Sequence, residues 1–393
     1  MNKSDLDCVI NREGYDSVKL EGMKEIWGRE DLLPMWVADM DIKTPAFIIK
    51  EINRLIEGGV LGYTREPTAW REAIEKWVWR RHGWKVKKDE INFIPGVVRG
   101  LLFVLHAFTK KGDRVLITPP VYPPFQSIVV ENQRELVKAP LVYINGGYEL
   151  DFELIKHKIR GCKLLLLCNP HNPGGVSWSK TDLVQLATIC EEEGVLVVSD
   201  EIHADLTLPP HKHSTYATVS EEAAQNSITL MSPSKAFNIA GLSTSYSIIQ
   251  NKRKNKIFTD FLTRNHLNSG HLFAYRSLIA AYQEEGSAWL DNLLLYISQN
   301  IAYVSDRLNH ECPKITMIYP SASFLLFLDC NALQLSPKEL EEFFVRDAGL
   351  ALNSGISFGE EGKGFMRMNV GMPMQLLKQA IDQLKQAYVK RGF

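Results

Sequence analysis

Between about residue 90 and residue 255, short apolar runs alternate with longer segments whose apolar positions recur at helical spacing. That alternation is the signature of a parallel sheet whose strands are joined by helical crossovers. The strand candidates are 114–117, 136–139, 163–168, 195–199 and 227–231, short runs dominated by Val, Ile and Leu. Four of them run directly into polar or proline-rich turns, at 118–124, 169–175, 200–203 and 232–235. Ligands of open α/β sheets sit beyond the carboxyl ends of the strands, so these turns are expected to line one crevice.

Outside that region the pattern changes. Residues 1–45 read as irregular, with an apolar patch, Leu33-Pro-Met-Trp-Val-Ala-Asp-Met-Asp41, whose aspartates are expected to be solvated. Helical spacing follows at 45–56 and 70–82, and a glycine turn in Phe93-Ile-Pro-Gly-Val-Val98 opens an apolar helix through Phe108. Beyond residue 255 long helices are expected over 257–282 and 288–309. A mixed segment comes next: a strand at 324–328, a helix at 337–348, a strand at 366–370 and a final helix from Met374. The fold class is α/β, a mostly parallel sheet sandwiched by helices, with a smaller α+β domain. We expect a large domain over 46–285 and a small one built from 1–45 together with 286–393.

Composition narrows the function classes. The 393 residues are 45% apolar with a net charge of -1, which offers no electrostatic footprint for nucleic acid or an anionic membrane. The six cysteines are scattered without C-x-x-C spacing, so neither a disulfide framework nor a thiolate zinc site is expected. Met1-Asn-Lys-Ser-Asp-Leu-Asp7 is polar where a signal peptide needs a basic start and an apolar stretch, and no apolar run reaches membrane length. The expected compartment is the cytoplasm. His203, Asp205, His211 and His213 are zinc-ligating types close in sequence, but Pro209-Pro210 and polar surroundings suggest an exposed loop, and no metal is expected.

Candidate chemistry centres on Lys235, delivered by the turn after the apolar run 228–231. A lysine on a desolvated, rigid support loses basicity, and the neutral amine is a nucleophile that forms Schiff bases with aldehydes. Pyridoxal phosphate is the usual electron sink for such a lysine. It needs a carboxylate at the ring nitrogen, a stacking aromatic, phosphate donors and an arginine for the substrate carboxylate. Asp200, ending an apolar strand, is an acid whose burial demands a cationic partner.

The succession Asn169-Pro-x-Asn-Pro-Gly-Gly175, Ser199-Asp-Glu-Ile-His203 and Ser232-Pro-Ser-Lys-x-Phe-Asn-Ile-Ala-Gly-Leu242 resembles the fold-type I pyridoxal-phosphate enzymes of the aspartate aminotransferase superfamily. Met35-Trp-Val-Ala-Asp-Met-Asp41, Pro95-Gly-Val-Val98, Pro119-Pro-Val-Tyr-Pro-Pro-Phe125 and Asp200-Glu-Ile-His-Ala-Asp205 resemble, within it, the MalY/PatB group of cystathionine β-lyase-like C–S lyases. The resemblance implies the type I transferase fold and pyridoxal 5'-phosphate as cofactor. It also implies roles for particular residues. Lys235 would join the cofactor, Asp200 pair with the ring nitrogen and Tyr122 stack on the ring, while Asn172 and His203 stand near the ring hydroxyl. Val97, Val98, Ser232 and Ser234 would hold the phosphate, with Tyr63 reaching it from the neighbouring subunit of a homodimer. Arg367 would grip the α-carboxylate of a small amino-acid substrate, beside Trp36, Ala38 and Asn172.

Two departures from the general aminotransferase pattern fit the lyase group. Ser243 stands where many aminotransferases carry a phosphate-binding arginine, and His203 where a tyrosine is common. The implied reaction is α,β-elimination on cysteine conjugates, giving thiol, pyruvate and ammonia. Two alternatives are an aminotransferase acting on small amino acids and a cofactor-binding regulatory protein that contacts a transcription factor.

Overall fold

The computed structural model describes residues 6–393; the first five residues of the N-terminal segment lie outside the described residues. Its strands are β1 (Leu33–Pro34), β2 (Ile91–Ile94), β3 (Arg114–Ile117), β4 (Glu135–Lys138), β5 (Val142–Ile144), β6 (Gly147–Glu149), β7 (Cys162–Cys168), β8 (Leu196–Asp200), β9 (Ser227–Met231), β10 (Ser245–Ile248), β11 (Thr316–Ile318), β12 (Leu325–Asp329), β13 (Leu350–Ala351), β14 (Asn353–Ser354) and β15 (Phe365–Asn369).

The central sheet runs β2-β10-β9-β8-β7-β3-β4. From β9 to β4 every pairing is parallel; β10 alone runs antiparallel, between β9 and β2. Helices cover both faces, which explains why β8 and β9 are buried at every position rather than every second one. The period of two persists in what each side chain meets. Leu164, Leu166, Val198, Ile228 and Leu230 pack on one face, against the helices Val97–Phe108 and Lys252–Arg264. Leu165, Leu167 and Val197 pack on the other, against Lys180–Glu192.

A second, antiparallel sheet, β11-β12-β15-β14, lies in the C-terminal third, and β1 pairs in parallel with β13. That short pairing ties the N-terminal segment to the C-terminal one.

Several sequence expectations need correcting. The segment read as irregular contains a helix, Val18–Trp27, closed by Gly28 in the left-handed conformation. Its aspartates are not free in solvent: Asp39 and Asp41 hold Arg12 and the fully buried Lys19. The expected helix over 257–282 is broken into Lys252–Arg264 and Leu272–Ala281. His266 adopts φ 55° in the break, and the His271 side chain accepts the Ala274 N–H to start the second helix. The helix expected over 337–348 is α-helical to Glu342 and then widens into a π-helical turn at Phe343–Asp347. The β5–β6 hairpin turns on Asn145-Gly146, both at positive φ, a signal the chain carried openly.

Candidate active site

All four turns after the parallel strands meet at one cavity of about 350 Å³. Tyr122 comes from the turn after β3 and Asn172 from that after β7. Asp200 and His203 come from the end of β8 and its turn, and Ser234 and Lys235 from the turn after β9. The N-terminus of the helix Val97–Phe108 faces the same space. Its Gly96 cap sits at φ 129°, where a side chain would be strained, and the first N–H groups of an α-helix have no partner within it. They make an anion site at that end.

The Lys235 Nζ donates to the Ala38 carbonyl at 2.6 Å. Burial lowers its pKa to about 8, helped by the nearby Arg367 and opposed by Asp39 and Asp200. Asp200 is pushed up to about 7 by burial, against the Ile202 N–H that its carboxylate accepts at 3.1 Å and the Lys235 charge. His203 is buried and its pKa falls to about 3, so the imidazole is neutral, and Nδ1 has no partner among the described residues. Burial raises the Tyr122 phenol above its ordinary value, and its backbone N–H donates to the Asn172 carbonyl at 3.0 Å.

Arg367, on β15, reaches the cavity wall from the other sheet. Its Nη1 donates to Asn172 Oδ1 at 3.2 Å, and its Nη2 to the Trp36 carbonyl at 2.8 Å and Asn353 Oδ1 at 2.7 Å. The guanidinium lies 4.9 Å from the Phe358 ring centroid, a cation–π contact. No acid pairs with it among the described residues, its Nε is buried without a partner, and burial lowers its pKa to about 10. A buried cation in that state calls for an anion.

Other residues named from the sequence stand apart. Ser232 lies behind Ser234, within 2.9 Å of the Ser234 hydroxyl and 2.6 Å of the Thr244 carbonyl, and does not line the cavity. Trp36 contributes its carbonyl; its indole N–H donates to the Lys19 carbonyl, away from the cavity. Tyr63 is fully exposed in a segment without regular structure. The supposed zinc ligands are not an exposed cluster. His203, Asp205 and His213 are buried or nearly so, Asp205 accepting from Trp77 and sitting 3.0 Å from His82, and His213 sitting 2.6 Å from Glu201. No group of His, Cys, Asp and Glu among the described residues could hold a metal.

Sequence reasoning missed Asn353, Phe358, Thr244 and Cys168, which line the cavity or hold what does. Asn353 and Phe358 carry no local signal: the pairing of β14 with β15 sets Asn353 opposite Arg367, and the 3-10 turn Gly355–Phe358 that follows β14 brings Phe358 to it.

The aminotransferase class I and II family model matches residues 32–384. The chain belongs to this family. It is 42% identical over 378 residues to the cystathionine beta-lyase PatB of Bacillus subtilis, covering 96% of this chain and 97% of that one. Protein MalY of Escherichia coli is 31% identical over 97% of each. The crystal structure of cystalysin from Treponema denticola, which contains pyridoxal 5'-phosphate, superposes with a TM-score of 0.95 at 31% identity over 99% of both chains. The family depends on pyridoxal phosphate, and the fold is that of its transferases.

The cavity fits that cofactor. It offers helix N–H groups and Ser234 at one end and a buried acid awaiting a cation at the other. Thr244 Oγ1 and His203 Nδ1 are buried polar atoms without partners among the described residues. No helix of the described residues is long and apolar enough to cross a membrane.

Proposed function

We propose that this protein is a pyridoxal-phosphate-dependent C–S lyase that performs α,β-elimination on cysteine conjugates, releasing a thiol, pyruvate and ammonia. The observation that carries this reading is that Lys235 and Asp200 line one cavity whose Asn172 accepts a hydrogen bond from Arg367, in a chain 42% identical to a cystathionine beta-lyase. When bound, the cofactor supplies an aldehyde for the substrate amine and a ring that draws electrons from Cα. Asp200 would face the ring nitrogen, Tyr122 the ring plane, and Asn172 and His203 the ring hydroxyl. Val97, Val98, Ser232 and Ser234 would surround the phosphate, Ser232 acting through the Ser234 hydroxyl it touches.

Arg367 binds the substrate carboxylate through its planar fork, with Asn172 and Asn353 holding that fork in place. Trp36 and Ala38 border the substrate with their backbone. Lys235, neutral above about pH 8, takes the proton from Cα. The electrons left behind close the Cα–Cβ double bond, and the sulfur departs as thiolate. His203, held neutral by burial, adds no positive charge beside the Lys235 amine.

We further propose a homodimer in which Tyr63 of a second copy completes the phosphate end, which its full exposure supports. A large domain over 46–285 and a small one formed by 1–45 with 286–393 accord with the two sheets and the β1–β13 pairing. A cytoplasmic location accords with six unpaired cysteines.

The test is a panel of cystathionine, cystine and other cysteine conjugates, scored for pyruvate and free thiol. Pyruvate formed in step with thiol is the expected result. Stoichiometric conversion of the cofactor to its amine form, with a keto acid product and no thiol, would instead mark an aminotransferase.

A further inference from the structure

The segment Trp36–Ile42 has almost no regular secondary structure, yet its Ala38 lines the cavity. Nearly every carbonyl in it is held by a side chain from elsewhere. Trp36 O accepts from Arg367, Val37 O from Asn369, and Ala38 O from Lys235. Asp39 O accepts from Asn369 and Lys19, and Met40 O and Ile42 O from Asn238. The substrate-binding arginine and the reactive lysine are thus tied to carbonyls two residues apart.

What anchors this strap from behind is an ion cluster. Arg12 makes a two-nitrogen contact with Asp39 at 3.2 and 2.7 Å and reaches Asp41 at 3.0 Å. Lys19, fully buried, lies 2.5 Å from Asp41 and 3.6 Å from Asp39. Two cations and two anions balance, so the cluster is neutral as a whole. A buried lysine is tolerated only because both acids face it.

We propose that the Arg12–Lys19–Asp39–Asp41 cluster is a positioning device for Lys235: it fixes the Ala38 carbonyl that receives the lysine's hydrogen bond, and its charge balance sets how readily that amine gives up its proton. The inference rests on the reading of Lys235 as the cofactor lysine. Besides Asp39, the charged groups facing Lys235 are Arg367 and Asp200, and Tyr122, Cys168 and His203 share its cavity. Since those are untouched by changes at positions 12 and 39, the cluster is separately testable. Loosening the strap and altering its charge make different predictions. Loss of Asp39's charge leaves an excess cation beside the amine and favours its neutral form; loss of Arg12's charge leaves an excess anion and does the opposite.

The experiment follows the rate at which the full chain, freed of cofactor, develops its visible absorbance band on adding pyridoxal phosphate, as a function of pH. The rate rises with the neutral fraction of Lys235, so its midpoint reports that amine, near about 8 in the unaltered chain. Asp39→Asn should move the midpoint down by about half a unit or more, Arg12→Gln should move it up, and the double variant should return it towards the starting value. Arg12, on the partly exposed side of the cluster, keeps the test open if Asp39→Asn does not fold. Midpoints that stay put, or shift in the same direction, in folded variants overturn the inference alone. A band that persists in Lys235→Ala, or no band in the unaltered chain, overturns the inference together with the assignment of Lys235. Pyruvate formation plays no part in this readout, so failure of the lyase reading is detected independently.

Discussion

Replacing Arg367 by lysine keeps a positive charge on β15 but removes the planar fork, and the structure sets how much that matters. The guanidinium has two nitrogens already engaged by Asn172, Trp36 and Asn353, and its Nε has no partner. It is therefore held in a fixed plane, with Phe358 behind it, before any substrate arrives. A substrate carboxylate can take the hydrogens still free, one on Nη1 and the Nε–H, from a group whose plane is already fixed, and an ammonium offers its hydrogens in a less constrained direction. Losing one hydrogen bond to a charged group is worth about 1.5–3 kcal/mol, a tenfold to hundredfold effect. Because the carboxylate is held alike in the ground and transition states, the loss should fall on KM and leave kcat nearly unchanged. Steady-state pyruvate formation from cystathionine, with KM and kcat resolved, reads this directly. An Arg367→Lys variant whose KM stays within about twofold while kcat collapses would refute the assignment, since the arginine would then serve the chemistry rather than the binding.

Asp200→Asn cannot carry the charge that a cationic ring nitrogen needs opposite it, and kcat should fall by about a hundredfold or more, with weaker cofactor retention on gel filtration. Glu201 accepts from the Ser199 hydroxyl and the Tyr216 N–H and sits beside His213, all buried, so Glu201→Leu orphans three polar groups and should cost about 3 kcal/mol or more, seen as a lower Tm. His203 is neutral in the fold with a pKa of about 3 against 6.5 when unfolded. The unfolded chain therefore takes up the proton first, and acidification from 6.5 towards 3 destabilises the fold. Asp200 acts with the opposite sign between its ordinary value of 3.8 and about 7, but equally in both proteins. His203→Gln should therefore show a shallower loss of Tm on acidification than the unaltered chain, and an unchanged slope would refute a buried, neutral His203.

Local pattern was enough to set the parallel part of the sheet and the end of it that binds. The run Leu164–Leu167 is apolar at every position because both faces are covered, and turns such as Asn169–Gly175 and Ser232–Lys235 follow the strands with residues that cannot continue them. Lys235 and Asp200 could be singled out because each stands next to such a break, whereas the family resemblance of the motifs around them singles out Asn172 and Tyr122. Only the tertiary structure decided what depends on residues distant in sequence. The strand β10, which runs against both its neighbours, and the edge strand β2 beside it carry polar residues such as Asn92, Ser245 and Ser247, so no run announces them. Arg12 and Lys19 meet Asp39 and Asp41 only because the N-terminal segment folds back onto residues 39–41, turning acids expected in water into partners of a buried lysine. Charge pairing across such separations leaves no periodic trace, because it depends on where two side chains end up and not on the spacing of either within its own element.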